Sequence, residues 1–398
     1  MSTTARAPGH ERMRVVTIVD RLIQGGAEGL AVDIVTRLDP ERFDRTLCVS
    51  RWSDPSHASV HAAVDERRRE IEAAGVRFLG LSRRGPLDVL AWRPLVRLLR
   101  AERVDVVHSH MFGSNVWGVA LGRGCRVPVI VAHEHSWAFS GELARRVVDR
   151  HWIARMSDAL IACSATDRRR MIELERIDPD DIVLIPNGIE ARSPTPGRDI
   201  RRELRIAASA PVVGSVGALR VEKRFDILID AAALLRAAHP GVRVVIAGEG
   251  DERGALERRI ERLGLKGTVL LLGSRTDVPD VLQGFDVAVN CSDFEGTPLS
   301  LLEYMEAGVA IVATRVGGIP DVIEDAIHGL LVPRRDPRAL ADACASLIAD
   351  PGRRGALGAA ACERRRAEFA LGTMVARIEQ LFVELRADQR GSRPRRAR

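Results

Sequence analysis

Glu295 and Glu303 lie on either side of a helix start in the run Asn290-Cys291-Ser292-Asp293-Phe294-Glu295-Gly296-Thr297-Pro298-Leu299-Ser300-Leu301-Leu302-Glu303. Thr297 suits an N-cap, Pro298 the first turn, and Gly308 the stop. The free amides at such a start attract anions, a diphosphate among them. Glu295 sits ahead of it on a loop; Glu303 lies roughly 7–8 Å beyond Pro298 at about 1.5 Å rise per residue. Two carboxylates so placed could hold the ends of one elongated ligand, its phosphates between them. Leu301, Leu302 and Met305 imply that this helix buries a face, where a carboxylate needs hydroxyl or cationic partners. A ribose diol would serve. On spacing alone the plainer reading is a loop carboxylate and a solvent-facing one.

Other polar residues fall just after apolar runs. Arg220 and Lys223 follow Val213-Gly214-Ser215-Val216-Gly217; as loop cations they could meet two phosphates, arginine in bidentate fashion and lysine as a point charge. Arg220 could instead pair with Glu222 on the surface. Gly248 and Gly250 end another run and permit close backbone approach; a plain turn would also explain them. Gly25 and Gly26, in Gln24-Gly25-Gly26-Ala27-Glu28, precede a helical pattern and do not form the Gly-x-Gly-x-x-Gly of a dinucleotide site. Val131-Ala132-His133-Glu134-His135 could suggest metal ligation. It begins at a strand end, however, not on the helix that a His-Glu-x-x-His zinc motif needs. His108 and His110 end a further run, their roles open.

These residues need a scaffold of short β-branched runs alternating with amphipathic stretches. Strands are expected at 14–19, 46–49, 76–79, 104–108, 129–132, 159–163 and 183–185, and again at 212–216, 242–247, 269–272, 287–290, 311–313 and 329–332. Their continuous apolar character predicts parallel sheets covered on both faces, an α/β doubly wound fold. Ser193-Pro194-Thr195-Pro196-Gly197 interrupts the pattern and reads as a linker. The expected organisation is one domain over 13–190, a second over 200–370, a docking helix over 371–386 and a disordered basic tail over 387–398. Ligands of such sheets sit at the carboxyl ends of the strands, so the cleft between two facing domains is the default site.

The chain has 398 residues, 46% hydrophobic and 29% charged, enough for two cores. One Tyr and five Trp give no theme of base stacking, and no nucleic-acid partner is expected. Six cysteines without a Cys-x-x-Cys pair read as reduced thiols of a cytoplasmic protein, not as a disulfide frame or zinc site. No apolar run is long enough to span a membrane, and residues 1–12 lack the apolar core of a signal peptide. The net charge of +6 gathers in arginine clusters at 67–69, 83–84, 145–146, 168–170 and the tail. They read first as solvated helix faces, and second as contacts to anionic lipid or a phosphate-bearing acceptor.

The run from Glu295 through Thr297-Pro298 to Gly308, then Ala313-Thr314-Arg315-Val316-Gly317-Gly318-Ile319-Pro320, resembles the Glu-x7-Glu signature of the retaining glycosyltransferases of family 4. The resemblance extends over nearly the whole chain, strongest from Gly214 to Ile323. It implies the GT-B fold, two Rossmann-like domains facing a central cleft, and no cofactor or metal beyond the nucleotide-sugar donor. By that likeness Glu295 contacts the transferred sugar and Glu303 the ribose. Gly296, Thr297, Pro298 and Leu299 lie at the donor, Arg220 and Lys223 at its phosphates, and Gly217, Gly248 and Gly250 beside them. Gly25 and Gly26 match the family's Gly-Gly-Ala-Glu loop, and His135 its active-site histidine, leaving His133 structural. Ala218 stands where the family often has its arginine, which makes Lys223 the firmer assignment. The implied reaction moves a sugar from a nucleoside diphosphate, UDP before GDP, to a sugar or lipid-linked acceptor. Two other classes share such a shape: UDP-sugar 2-epimerases, and sugar-nucleotide sensors without turnover.

Overall fold

The computed structural model describes residues 12–22, 26–52, 61–85, 88–135 and 143–390. The chain forms two compact units: unit 1 takes in the N-terminal segment to Cys163, Asp167–Pro186 and the C-terminal segment from Leu371, and unit 2 takes in Ser164–Thr166 and Asn187–Ala370. The expected boundary at 190 therefore falls four residues inside unit 2.

Unit 1 holds a seven-stranded sheet of β1 (Met13–Val19), β2 (Phe43–Val49), β3 (Arg77–Gly80), β4 (Val106–His110), β5 (Val129–Glu134), β6 (Ala159–Ala162) and β7 (Ile182–Leu184), in the order β3-β2-β1-β4-β5-β6-β7. Unit 2 holds a six-stranded sheet of β8 (Val212–Val216), β9 (Arg243–Ala247), β10 (Val269–Leu271), β11 (Val287–Asn290), β12 (Ala310–Thr314) and β13 (Leu330–Val332), in the order β10-β9-β8-β11-β12-β13. Every strand pair is parallel. Each sheet starts at a central strand, runs to one edge, then returns and runs to the other. That reversal is the doubly wound pattern, and it gathers functional loops where the order turns back.

The apolar runs are explained by burial on both faces. In β9, Val244 and Ile246 enter one core of unit 2 while Val245 and Ala247 enter the other. In β12, Ala310 and Val312 face the first and Ile311 and Ala313 the second. A strand covered on both sides has no solvent face to keep polar.

Three local differences from expectation have physical causes. The helix expected to be capped by Thr297 spans Leu299–Glu306 and has Pro298 at its N-cap, with φ −68° and ψ 122°. Thr297 is buried instead, its carbonyl accepting from Asn187 Nδ2 at 3.2 Å. Gly308 does end the helix, at φ +64°; its amide bonds Met305 O, and the Val309 amide bonds Tyr304 O, the paired closure that a left-handed residue makes possible. The C-terminal helix spans Leu371–Arg390, so residues 387–390 of the expected disordered tail are helical.

Candidate donor site

The loop after β11 brings Glu295 to a cation. Its Oε1 accepts from Lys223 Nζ at 2.6 Å, from Ser292 Oγ at 2.6 Å and from Asn290 Nδ2 at 3.3 Å. Lys223 reaches it from the loop after β8, where it closes a single 3-10 turn, Val221–Lys223. A carboxylate held by an ammonium and two neutral donors is fixed in direction, and a lysine so placed can exchange that partner for a phosphate.

Asp293, which the sequence reading passed over, clamps the two loops. Its amide donates to Glu222 O at 2.8 Å; its carboxylate accepts from Arg224 Nη1 at 3.0 Å and from Arg335 Nη2 at 2.7 Å. Burial opposes its charge, but the hydrogen bonds from Arg335 and Arg224 hold its carboxyl below the usual range. Arg224, at φ +52°, also forks onto Asp226 at 2.8 and 2.9 Å. An acid five residues before Pro298 carries no local signal of this, because both cations come from distant loops.

A third loop closes beneath Glu295. Gly318 N donates to Glu295 O at 3.1 Å. A Cβ on Gly317, at φ +53°, would stand 1.8 Å from that oxygen, and one on Gly318 would stand 2.2 Å from Gly296 O. No other residue type fits there without moving the loop. Gly248 and Gly250 do the same for the β8 loop: a Cβ would meet Gly217 O at 1.9 Å and Leu219 O at 2.4 Å. The close approach expected of them is therefore to another loop of the chain. Gly217 donates its amide to Ala247 O at 3.0 Å within the same contact.

The 299–306 helix supplies the rest. Leu299 and Ser300 begin it with amides that lie ahead of the intrahelical ladder, and Pro298 at the N-cap offers no side-chain cap. Gly296, Thr297 and Pro298 before them are buried. Tyr304, the chain's one tyrosine, pins the helix to β8: its hydroxyl accepts from the Val216 amide at 2.7 Å. Glu303, one position earlier, is half-buried; its carbonyl accepts from the Ala307 amide at 3.0 Å, and its carboxylate has no hydrogen bond or ion pair among the described residues. Desolvation pushes its carboxyl up to about 7, with the charge of Arg192 pulling the other way. Such a group is waiting for donors.

Arg220 is not brought to this cluster. Its side chain is 63% exposed and lies 4.0 Å from Glu222, the surface alternative. It borders a surface cavity of about 410 Å³ lined also by Arg224, Arg258, Arg259, Arg262 and Asp226. In unit 1, Gly26 opens the Gly26–Arg37 helix at φ +64°; Gly25 lies outside the described residues. His135 is 7% exposed, its Nε2 2.8 Å from His110 Nδ1 and its Nδ1 3.8 Å from Cys163 Sγ. The sugar contact expected of it thus finds both ring nitrogens already facing protein groups. His133 joins the same cluster, its Nδ1 3.3 Å from His108 Nε2. Burial first, then neighbouring imidazoles, lower the pKa of His108, His110 and His133; burial alone lowers that of His135, and both His108 and His135 come to about 3.

Comparison with known proteins agrees with this architecture. Residues 197–364 match the family described as glycosyl transferases group 1, and residues 24–193 match glycosyltransferase family 4. Glycogen synthase of Mycobacterium tuberculosis is 28% identical over 99% of this chain and 92% of its own length. D-inositol 3-phosphate glycosyltransferase of Kineococcus radiotolerans is 29% identical over 93% of this chain and 94% of its own. Among solved structures, Anabaena Alr3699/HepE in complex with UDP superposes with a TM-score of 0.80 at 21% identity, covering 94% of this chain and 100% of that one. With two doubly wound parallel sheets, and both halves matched in turn, the chain belongs to glycosyltransferase family 4 and is a nucleotide-sugar glycosyltransferase of the GT-B fold.

Proposed function

We propose that this enzyme moves a hexosyl-type sugar from a nucleoside diphosphate, UDP in preference to GDP, to an acceptor hydroxyl with retention at the anomeric carbon. The observation that carries the donor half is Lys223 bonded to Glu295, on loops that also lead to a helix start and to a desolvated, unpartnered Glu303. The bond from the anomeric carbon to the β-phosphate oxygen breaks and negative charge grows on the diphosphate. Lys223 and the amides of Leu299 and Ser300 stabilise that charge, in the role a metal ion takes elsewhere. Glu295, released by the lysine, takes the sugar's hydroxyls, and Glu303 accepts from the ribose diol. The acceptor oxygen bonds on the face the phosphate leaves, and its proton passes to the departing phosphate oxygen. Support for uridine comes from the Anabaena neighbour, which holds UDP. The acceptor is a sugar or a lipid-linked sugar, and the setting is cell-surface polysaccharide or glycolipid assembly on the cytoplasmic side. Arginine clusters such as Arg168–Arg170 are offered to an anionic membrane surface. No helix among the described residues is long and apolar enough to cross one.

The test is thermal-shift screening against UDP-, GDP-, ADP- and dTDP-sugars, since a ligand of the native state raises stability by mass action. A shift with UDP-sugars that Glu303→Ala abolishes, followed by transfer in EDTA giving the donor's own anomer, is the expected result. Free epimerised sugar, an inverted product, or an unchanged shift in Glu303→Ala would overturn it.

A further inference from the structure

The surface cavity beside Arg220 plays no part in the donor chemistry above. Its volume, about 410 Å³, is within the range of small-molecule sites, and Lys223, Glu295 and Glu303 do not line it. One wall comes from the loop after β8 and the helix start that follows, with Arg220, Arg224 and Asp226; the other is the Arg253–Arg262 helix, with Glu252 just ahead of it. Main-chain bonds fix the two walls to each other: the Leu219 amide donates to Glu249 O at 2.9 Å, and the Glu252 amide donates to Leu219 O at 3.0 Å. Phe225 and Leu256, each 3% exposed, belong to a core of unit 2 and give the cavity an apolar floor.

Five arginines line this space, and the chain treats them in two ways. Arg224 forks onto Asp226 and also meets Asp293, and Arg259 forks onto Asp230. Those two are compensated and held in place. Arg258 and Arg262 are exposed, and their side chains make no hydrogen bond or ion pair among the described residues. They stand four apart on one helix face, where like charges repel. Arg253, on the same helix, is given both Glu249 and Glu257, so the missing acids are peculiar to the face that lines the cavity. Arg220 joins from the opposite wall and approaches Glu222 only to 4.0 Å. Three loosely held guanidiniums thus face one carboxylate, that of Glu252, which has no partner of its own among the described residues.

We infer that this cavity is a second ligand site, separate from the donor's, for the phosphate monoester of a sugar or polyol. Arg220, Arg258 and Arg262 take the phosphate. Its charge of about −2 matches three cations set against one acid, and guanidinium forks fit phosphate oxygens in pairs. A phosphate ion by itself would leave much of the space empty. The remainder of the ligand lies over Phe225 and Leu256, and Glu252, which can only accept, takes its hydroxyls. The site lies wholly within unit 2. No step of sugar transfer runs through it, so it stands or falls apart from the donor reading.

The probes are ribose 5-phosphate, inorganic phosphate and ribose, titrated calorimetrically into the full-length chain with UDP in excess to keep phosphate groups from the donor site. Ribose 5-phosphate should bind more tightly than phosphate, and ribose should give no heat. Arg258→Gln with Arg262→Gln should weaken ribose 5-phosphate at least about tenfold. Arg353→Gln with Arg366→Gln removes the same charge from exposed surface elsewhere in unit 2 and should leave Kd unchanged. Glu252→Gln should narrow the gap between ribose 5-phosphate and phosphate. A native circular dichroism spectrum for each variant separates loss of the site from loss of fold, and the comparison of the two double variants holds whether or not UDP binds. No binding of ribose 5-phosphate, binding undiminished in Arg258→Gln/Arg262→Gln, or an equal loss in both double variants overturns the proposal; an unchanged gap in Glu252→Gln overturns the part given to that carboxylate.

Discussion

At the scale of single residues, the donor site turns on how two carboxylates are treated. Glu295 is given a cation and two neutral donors, while Glu303 is given none and is desolvated. The pH dependence follows from the second. A carboxyl raised to about 7 in the fold is favoured protonated, so its contribution to stability is complete below the unfolded value near 4.3 and is lost as pH rises through 7. Glu303→Gln should therefore melt above the wild type at pH 8, with the gap closing at pH 5, as thermal unfolding in the two buffers will read. Ribose hydroxyls donating to the ionised group would reverse that shift. Nucleotide binding at pH 6 should then release more protons in the wild type than in Glu303→Gln, measurable by calorimetry in buffers of different ionisation enthalpy. On the proposed mechanism Lys223 stabilises the leaving diphosphate, so Lys223→Ala should lower kcat by about 10²–10³-fold, as steady-state kinetics will read.

At the scale of elements, the site is four loops held at contact distance. The loop after β9 meets the loop after β8, and the loop after β12 meets the loop after β11, through main-chain oxygens that leave no room for a side chain at Gly248, Gly250, Gly317 or Gly318. Gly317→Ala must displace the Glu295 loop. We expect it to lower kcat while the far-UV spectrum stays native, as steady-state kinetics beside circular dichroism will show. Asp293→Asn keeps the shape of the clamp but removes the charge that Arg224 and Arg335 share. Its expected signature is a lower melting temperature and weaker donor binding together, because the clamp joins the lysine's loop to the glutamate's. The helix after Pro298 starts one residue later than its sequence suggests, so in the proposed mechanism the amides that meet a phosphate are those of Leu299 and Ser300. Thr297 has a different task, giving its carbonyl to Asn187.

At the scale of the whole molecule, the C-terminal 371–390 helix is part of unit 1. Glu379 accepts from the Asp39 amide at 2.7 Å and from Arg42 at 2.8 Å. Phe382, fully buried, sets its ring edge-on to Phe43 at 6.3 Å and to His108 at 5.3 Å. Phe382→Ala should cost about 3–5 kcal/mol of unit 1 stability, read as an early unfolding transition in calorimetry while nucleotide still protects unit 2. The sequence by itself determined the fold class. Thirteen apolar runs, each too continuous for a half-exposed strand, leave parallel sheets covered on both faces as the solution, and thirteen parallel strands stand at those places among the described residues. It also placed Glu295 and Glu303 on one local loop-to-helix segment, the first ahead of the Leu299–Glu306 helix and the second within it. What only the tertiary structure decided are the relations that cross loops and strands: Lys223 on Glu295, Asp293 between two arginines, Arg220 out by Glu222, and four histidines around Cys163. Those partners are set by strand order and register, and a strand's neighbour in a doubly wound sheet is not its neighbour in the chain.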